Sequence, residues 1–206
     1  MHSVTSSLDK SSEILFSDSK RRRRHVDEPS PLPGIVRCRS LKMLGVIIGD
    51  DFSVAQHVQR LVASSAQMHY ALRVLRCHGL NTVALQHVYR ATVVARITYA
   101  SSAWHGFTKA SERQHIDKVM DRARRLRYYP PDAPTFGDLC DTADDELFSK
   151  ARLWSNHVLH ALLPPLSAAS QQYNFRQRPH SLQLPEHKTQ LSNSNFLIRL
   201  LYKNTY

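Results

Sequence analysis

The chain's 206 residues carry a formal net charge of +11 and a pI near 9.9, a balance that favours a polyanionic partner and makes affinity salt-dependent. A hydrophobic content of 42% supports a sizeable core in one or two domains, and no uninterrupted apolar run is long enough to span a bilayer. The N-terminus is Ser-rich and charged rather than a secretory signal, and Cys38, Cys77 and Cys140 are too far apart for a disulfide framework or a Cys-x-x-Cys pair, so the expectation is an intracellular protein, nuclear or cytoplasmic, with no membrane partner.

In chain order, Lys20-Arg21-Arg22-Arg23-Arg24 precedes a segment holding Pro29, Pro31 and Pro33, which predicts an exposed loop. Such a run serves as a nuclear-import signal, as a nonspecific phosphate clamp, or as a plain solvated charge run. Leu41 to Ile48 reads as one strand, apolar on both faces, with Gly45 admitting a close backbone approach and Gly34 to Arg39 as its hairpin partner. Gly49-Asp50-Asp51 then turns the chain. Between apolar runs that motif suggests a polymerase metal-binding pair, yet the 48 residues before it hold an arginine run and a Pro-rich linker rather than a strand with a partner aspartate. Asp50 and Asp51 are therefore read as turn and helix-start carboxylates.

Ser53-Val54-Ala55-Gln56 fits a capping box, so a helix is expected from about Val54. Val58, Leu61, Val62, Ser65, His69, Leu72 and Leu75 recur at three- and four-residue steps and predict an amphipathic helix ending before Gly79. At 1.5 Å per residue it is roughly 35 Å long. A second helix, Asn81 to Tyr99, spreads Val83, Leu85, Val88, Tyr89, Val93, Ala95 and Ile97 so widely that much of its circumference is expected to be buried. Tyr99 and Trp104 suit a core edge better than base stacking. Ser111-Glu112-Arg113-Gln114 is another capping-box match. It opens a helix with Ile116, Val119, Met120, Ala123 and Leu126 on its apolar face and Arg113, Lys118, Arg122, Arg124, Arg125 and Arg127 on its polar side. Asp117 and Asp121 neutralise part of that charge at helical spacing.

Asp144-Asp145 is read as the start of the next long helix, stopped by Leu162-Leu163-Pro164-Pro165. Ser167 to Ser194, rich in Gln, Ser, Pro and His, is expected to be extended or mobile, and a short helix from Asn195 to Tyr202, with Phe196, Ile198, Leu200 and Leu201, to dock back on the bundle. The 12 histidines show no zinc spacing with a third ligand, and His57 and His69 fall on or beside the apolar stripe as core histidines, so no metal and no cofactor is implied. A Gly-x-Ser-x-Gly elbow is missing, and a hydrolase is rejected.

The order Lys42-x-Leu44-Gly45-Val46, His57 in the first turn of a helix, Leu72-x-x-Leu75-Arg76, Tyr89, Tyr99-Ala100 and Trp104 resembles the tail of reverse transcriptases from non-LTR, LINE-like retrotransposons of the jockey and CR1 kind. Lys10-Ser11-Ser12-Glu13-Ile14-Leu15-Phe16 is similar to the block that follows the family's catalytic Asp-Asp box, and Pro33-Gly34-Ile35 resembles the segment leading into its Leu-Gly strand. Phe148 to Pro165 and Asn195 to Tyr206 look like the family's C-terminal region.

This resemblance implies a mainly α fold, a helical thumb-like bundle with a small antiparallel β-hairpin from the end of a polymerase palm. It divides the chain into a distal palm remnant with a basic loop (1–50), a thumb-like domain (51–130) and a C-terminal helical region (131–206). The family's metal-binding aspartates align upstream of Lys10, so the expectation is a fragment without polymerase activity, whose structural partner is the missing upstream polymerase region. Thumbs of the family grip the template-primer duplex by its backbone, an RNA/DNA hybrid or another duplex being the expected partner. Arg60, Arg73 and Arg76, with Arg122, Arg124 and Arg125, are the phosphate contacts this implies. Two rival readings are an inactive relic and a domesticated helical protein-interaction module.

Overall fold

A computed structural model of the chain describes residues 11–16, 28–167, 180–186 and 189–203. Lys10, the basic run Lys20 to Arg24 and residues 168–179 of the expected extended segment lie outside them. The fold is mainly helical, with one small antiparallel hairpin and one short parallel pairing among the described residues. It forms two compact units, Met1–Arg60 and Leu61–Tyr206, where the sequence reading draws three segments.

In the first unit, β1 (Ser12–Glu13) pairs in parallel with β2 (Val36–Arg37), and Arg37 Nε donates to Glu13 Oε1 at 2.6 Å across that pairing. β3 (Ser40–Met43) and β4 (Val46–Gly49) form the hairpin, with Ser40 opposite Gly49 and Met43 opposite Val46. The single strand expected over Leu41 to Ile48 is thus folded in two, and its partner is not Gly34 to Arg39. Leu44 (φ 46°) and Gly45 (φ 91°) are the central residues of a two-residue turn, and positive φ at both matches the right-handed twist of the flanking strands. Gly45 therefore serves the turn, and Leu44 is left at its exposed tip.

Asp51 Oδ1 accepts from the Ser53 amide at 2.9 Å and the Ser53 hydroxyl accepts from the Ala55 amide at 3.3 Å, so turn and helix entry share short polar side chains. Helix α1 (Ala55–Cys77) follows, and the division between the units falls within it. Val54, His57, Val58, Leu61, Ser65, His69 and Leu72 are buried at three- and four-residue steps. Leu75, expected on that stripe, is exposed. The helix ends in a Schellman motif: the Gly79 amide donates to the Arg76 carbonyl, the Leu80 amide to the Leu75 carbonyl, and Gly79 takes φ 89°.

The second unit continues with α2 (Thr82–Tyr89), capped by Asn81, whose side chain accepts from the Ala84 amide at 2.8 Å. One π-helical turn (Arg90–Val94) and α3 (Ala95–Thr98) prolong it. Leu85, Tyr89, Val93, Val94 and Ile97 are buried, whereas Val83 and Ala95 are exposed, so the buried face is narrower than expected. After α4 (Ser101–Trp104), buried Trp104 stacks on Phe136 with centroids 5.9 Å apart and donates from Nε1 to the Tyr99 carbonyl at 3.0 Å, a packing role. Tyr99 itself is exposed.

Helix α5 (Ala110–Arg125) begins earlier than the expected box: the Lys109 amide donates to Glu112 Oε2 at 2.8 Å, so Glu112 and not Gln114 closes the first turn. Ile116, Met120 and Ala123 are buried along it. Helix α6 (Phe136–Leu153) is capped by Thr135 and Asp138, each backbone amide donating to the other's side chain. Asp144 is therefore in the middle of a helix, not at its start, and it is buried. The helix stops at Leu153, where Trp154 turns extended, and only one 3₁₀ turn (His160–Leu162) precedes the prolines. At the end of the chain, α7 (Gln190–Ser194) and α8 (Phe196–Tyr202) follow, and Leu200 and Leu201 bury themselves against Phe148. Among the described residues no helix is long and apolar enough to cross a membrane.

Candidate nucleic-acid interface

Three of the six arginines expected at phosphates come together. Arg73 and Arg76 from α1 and Arg122 from α5 line a cleft of about 450 Å³, with His69 and Tyr70 on the α1 side and Tyr128 on the other. The C-terminus of α5 sets that far wall. Arg127 takes φ 60°, its amide donates to the Arg124 carbonyl and the Tyr128 amide to the Ala123 carbonyl, a second Schellman motif with Arg where Gly79 stands in the first. This reversal carries Tyr128 and Tyr129 into the interior, where both are buried.

The arginines differ in how far their donors are already used. Arg76 Nη2 donates to the Leu126 carbonyl at 2.6 Å, and its guanidinium lies 4.5 Å from the centre of the Tyr128 ring, so it braces the cleft wall. Arg73 and Arg122 are exposed and make no ion pair among the described residues. Arg124 turns inward: it donates to Asp121 at 2.9 Å and to the carbonyls of Ala133 and Pro134 at 3.0 and 3.1 Å, and lies over the Tyr129 ring. Its guanidinium holds the loop between α5 and α6 and is not part of the cleft. Arg125 is exposed on α5 outside the lining, and Arg60, also exposed, belongs to the other compact unit.

His69 lies in the core, where the sequence reading puts it, but not as a satisfied histidine. It is 5% exposed, flanked by the rings of Tyr89 and Tyr128 at 5.7 and 6.1 Å, and its Nε2 is a buried nitrogen with no hydrogen-bond partner among the described residues. It is thus a core histidine without the satisfied hydrogen bonds expected of one. Burial, and then the charge of Arg122, lower its pKa and favour the neutral imidazole. Burial likewise raises the pKa of the Tyr89 hydroxyl, with Tyr129 adding to it.

A second polar cluster lies on the far helices. Asp144 Oδ2 is 2.9 Å from His105 Nε2 and accepts from Arg199 Nη1 at 2.7 Å; Arg199 Nη1 and His105 Nε2 are 2.8 Å apart. Burial opposes the Asp144 carboxylate, but hydrogen bonds from His105 and Ser102 and the charge of Arg199 outweigh it and lower its pKa. Neighbouring Cys140 is no nucleophile: burial pushes its thiol up to about 12. This cluster ties α8 to α6. Among the described residues no group of three His, Cys, Asp or Glu is placed to hold a metal ion.

The paired basic positions at 73, 76 and 122 were legible as charge on two amphipathic helices. The rings that complete the cleft were not, because Tyr70 follows the stripe by one position and Tyr128 owes its place to the turn at Arg127. Compared with known proteins, the chain matches no family model, no curated protein and no solved structure.

Proposed function

We propose that the chain is the distal palm, thumb and C-terminal region of a non-LTR retrotransposon reverse transcriptase, and that its helical unit grips a template-primer duplex by the phosphate backbone. The observation that supports this most is the convergence of Arg73 and Arg122, exposed and without carboxylate partners among the described residues, from two helices onto one cleft. Unneutralised guanidinium groups in a concave site draw polyanions and release counterions from them. The chain contributes grip rather than nucleotidyl transfer: Asp50 and Asp51 sit at a turn and helix entry, with Asp51 already hydrogen-bonded to Ser53. Its structural partner in this reading is the upstream polymerase region.

Anisotropy of a labelled RNA/DNA hybrid between 50 and 200 mM salt tests the grip. The expected result is binding whose log–log salt slope falls by about one for each of Arg73→Ala and Arg122→Ala. Unchanged affinity and slope in the double variant, or with alanine at all six arginines, would falsify it. The alternative of a helical protein-interaction module draws on the exposed Leu153, Trp154, Val158 and Leu162 after α6. A salt-insensitive complex with a protein, together with no hybrid binding, favours that alternative.

A further inference from the structure

Backbone contact alone does not account for the cleft between α1 and α5. Phosphates on a duplex surface are met by cations at the protein surface, and Arg73 and Arg122 would meet that need without any cavity behind them. Behind them there is a cleft of about 450 Å³, within the range that accommodates a small ligand. Its walls are largely aromatic and aliphatic. Tyr70 is 70% exposed at the rim, a large ring held in water with nothing covering it, while Tyr128 is buried behind the opposite wall with Arg76 lying over its ring. On the cleft's lining is His69, with the unpartnered Nε2.

These parts sort by chemistry. A cationic rim suits a phosphate, an aromatic wall suits a flat π-face, and a neutral imidazole nitrogen, able to donate or accept according to tautomer, suits the polar edge of a heterocycle. A bare anion would satisfy only the first. A purely apolar side chain would leave the arginines and His69 unserved. One nucleotide satisfies all three, provided that its base is not already paired, because a paired base offers neither a free face nor a free Watson–Crick edge.

We propose that this cleft takes a single unpaired nucleotide, its phosphate between Arg73 and Arg122, its base stacked on Tyr70 with an edge toward His69. The inference rests on the nucleic-acid reading above and deepens it: beside the duplex the chain holds one unstacked base. Arg76, spent on Leu126 and Tyr128, keeps the wall in place rather than meeting the ligand.

The test compares two probes at one salt concentration on the full chain: an RNA/DNA hybrid ending in one unpaired nucleotide, and the same hybrid with that nucleotide abasic. Both carry the same phosphates, so their affinity ratio isolates the base. The expected ratio is roughly tenfold, in the range of one base stacked on an aromatic side chain. Tyr70→Ala removes a stacking face, and Ala66→Trp fills the cleft from an exposed lining position; both are expected to bring the ratio close to one. Melting curves confirm that each variant folds, and should one fail, the other still decides. A wild-type ratio near one, or a ratio that survives both variants, overturns the proposal. The two readings fail separately. Salt-dependent binding of the abasic probe with no base increment leaves the backbone grip standing and removes the nucleotide pocket. Binding of a nucleoside monophosphate, lost in Tyr70→Ala, with no binding of the abasic hybrid, supports the pocket and removes the grip.

Discussion

The Asp144 cluster and the cleft between α1 and α5 draw on the same side chains, histidine and arginine, and differ chiefly in one, a carboxylate. Around Asp144 the arginine and the imidazole meet a buried acid within 2.9 Å, and the charges are consumed inside the fold. In the cleft no acid is supplied to Arg73 or Arg122, and His69 Nε2 has no partner among the described residues. Breaking the first arrangement strands buried polar partners and costs stability, whereas solvated, unpaired guanidinium groups contribute almost nothing to folding. The closed cluster is therefore read as architecture and the open one as a binding surface.

The strongest way to break that comparison is to remove the acid. Asp144→Asn leaves Arg199 and His105 facing a neutral group in a buried site, and we expect a loss of about 3 kcal/mol in urea unfolding, in the range of broken buried pairs. Arg73→Ala and Arg122→Ala, by contrast, should stay within about 0.5 kcal/mol of wild type. Equal effects at the two sites would erase the distinction. The pH dependence has a definite sign. The folded pKa of Asp144 is lowered, so over the carboxylate range the unfolded chain binds the extra proton. The cluster's contribution is full above the unfolded value of about 3.9 and is lost as pH falls through the lower folded value. The gap between wild type and Asp144→Asn should accordingly close below about pH 4, and a gap that stays constant there would assign the loss to packing instead.

Gly106 sharpens the same contrast from the backbone side. A Cβ at this position would overlap the Ser194 carbonyl and approach Arg199 Nε to 2.6 Å. The arginine side chain has room to bend, but the carbonyl is backbone at the end of α7 and must shift. Gly106→Ala is expected to cost about 2 kcal/mol, the scale of overpacking, and to raise amide exchange in α7 and α8 while leaving α1 and α5 protected. Exchange that rises equally in α1 would mean that the cleft and the C-terminal helices unfold as one body.

How much of this was legible in the sequence depends on whether a residue's position is set locally. The stripe of α1 and its stop at Gly79 follow from periodicity and from the left-handed conformation that glycine adopts at low cost, and both were readable. So was the docking of Leu200 and Leu201. The hairpin is hard to read because Leu41 to Ile48 is apolar apart from Lys42, so the X-Gly pair at its centre, which marks a two-residue turn, passes for a strand position. Asp144 is mid-helix because Thr135-x-x-Asp138 is the helix start, while the doublet Asp144-Asp145 half a helix downstream imitates one. Arg124 shows a limit of another kind. Its sequence neighbours differ little from those of Arg122, and only the carbonyls of Ala133 and Pro134, presented by a loop whose path is tertiary, draw it inward.

The smallest expected effect separates the shape of the cleft from its chemistry. Arg127 occupies the left-handed position that ends α5, where a side chain costs roughly 1–2 kcal/mol relative to glycine. Glycine also adds freedom to the unfolded chain, which takes back about 0.4–1 kcal/mol, so Arg127→Gly should stabilise by about 0.5–1 kcal/mol in urea unfolding. The turn that delivers Tyr128 to the cleft wall uses backbone bonds only, so it survives the change. If the wall is what matters, the base increment of the nucleotide probe is unchanged in the more stable variant. If the increment falls while stability rises, the Arg127 charge belongs to the rim, and the binding surface extends past the end of α5.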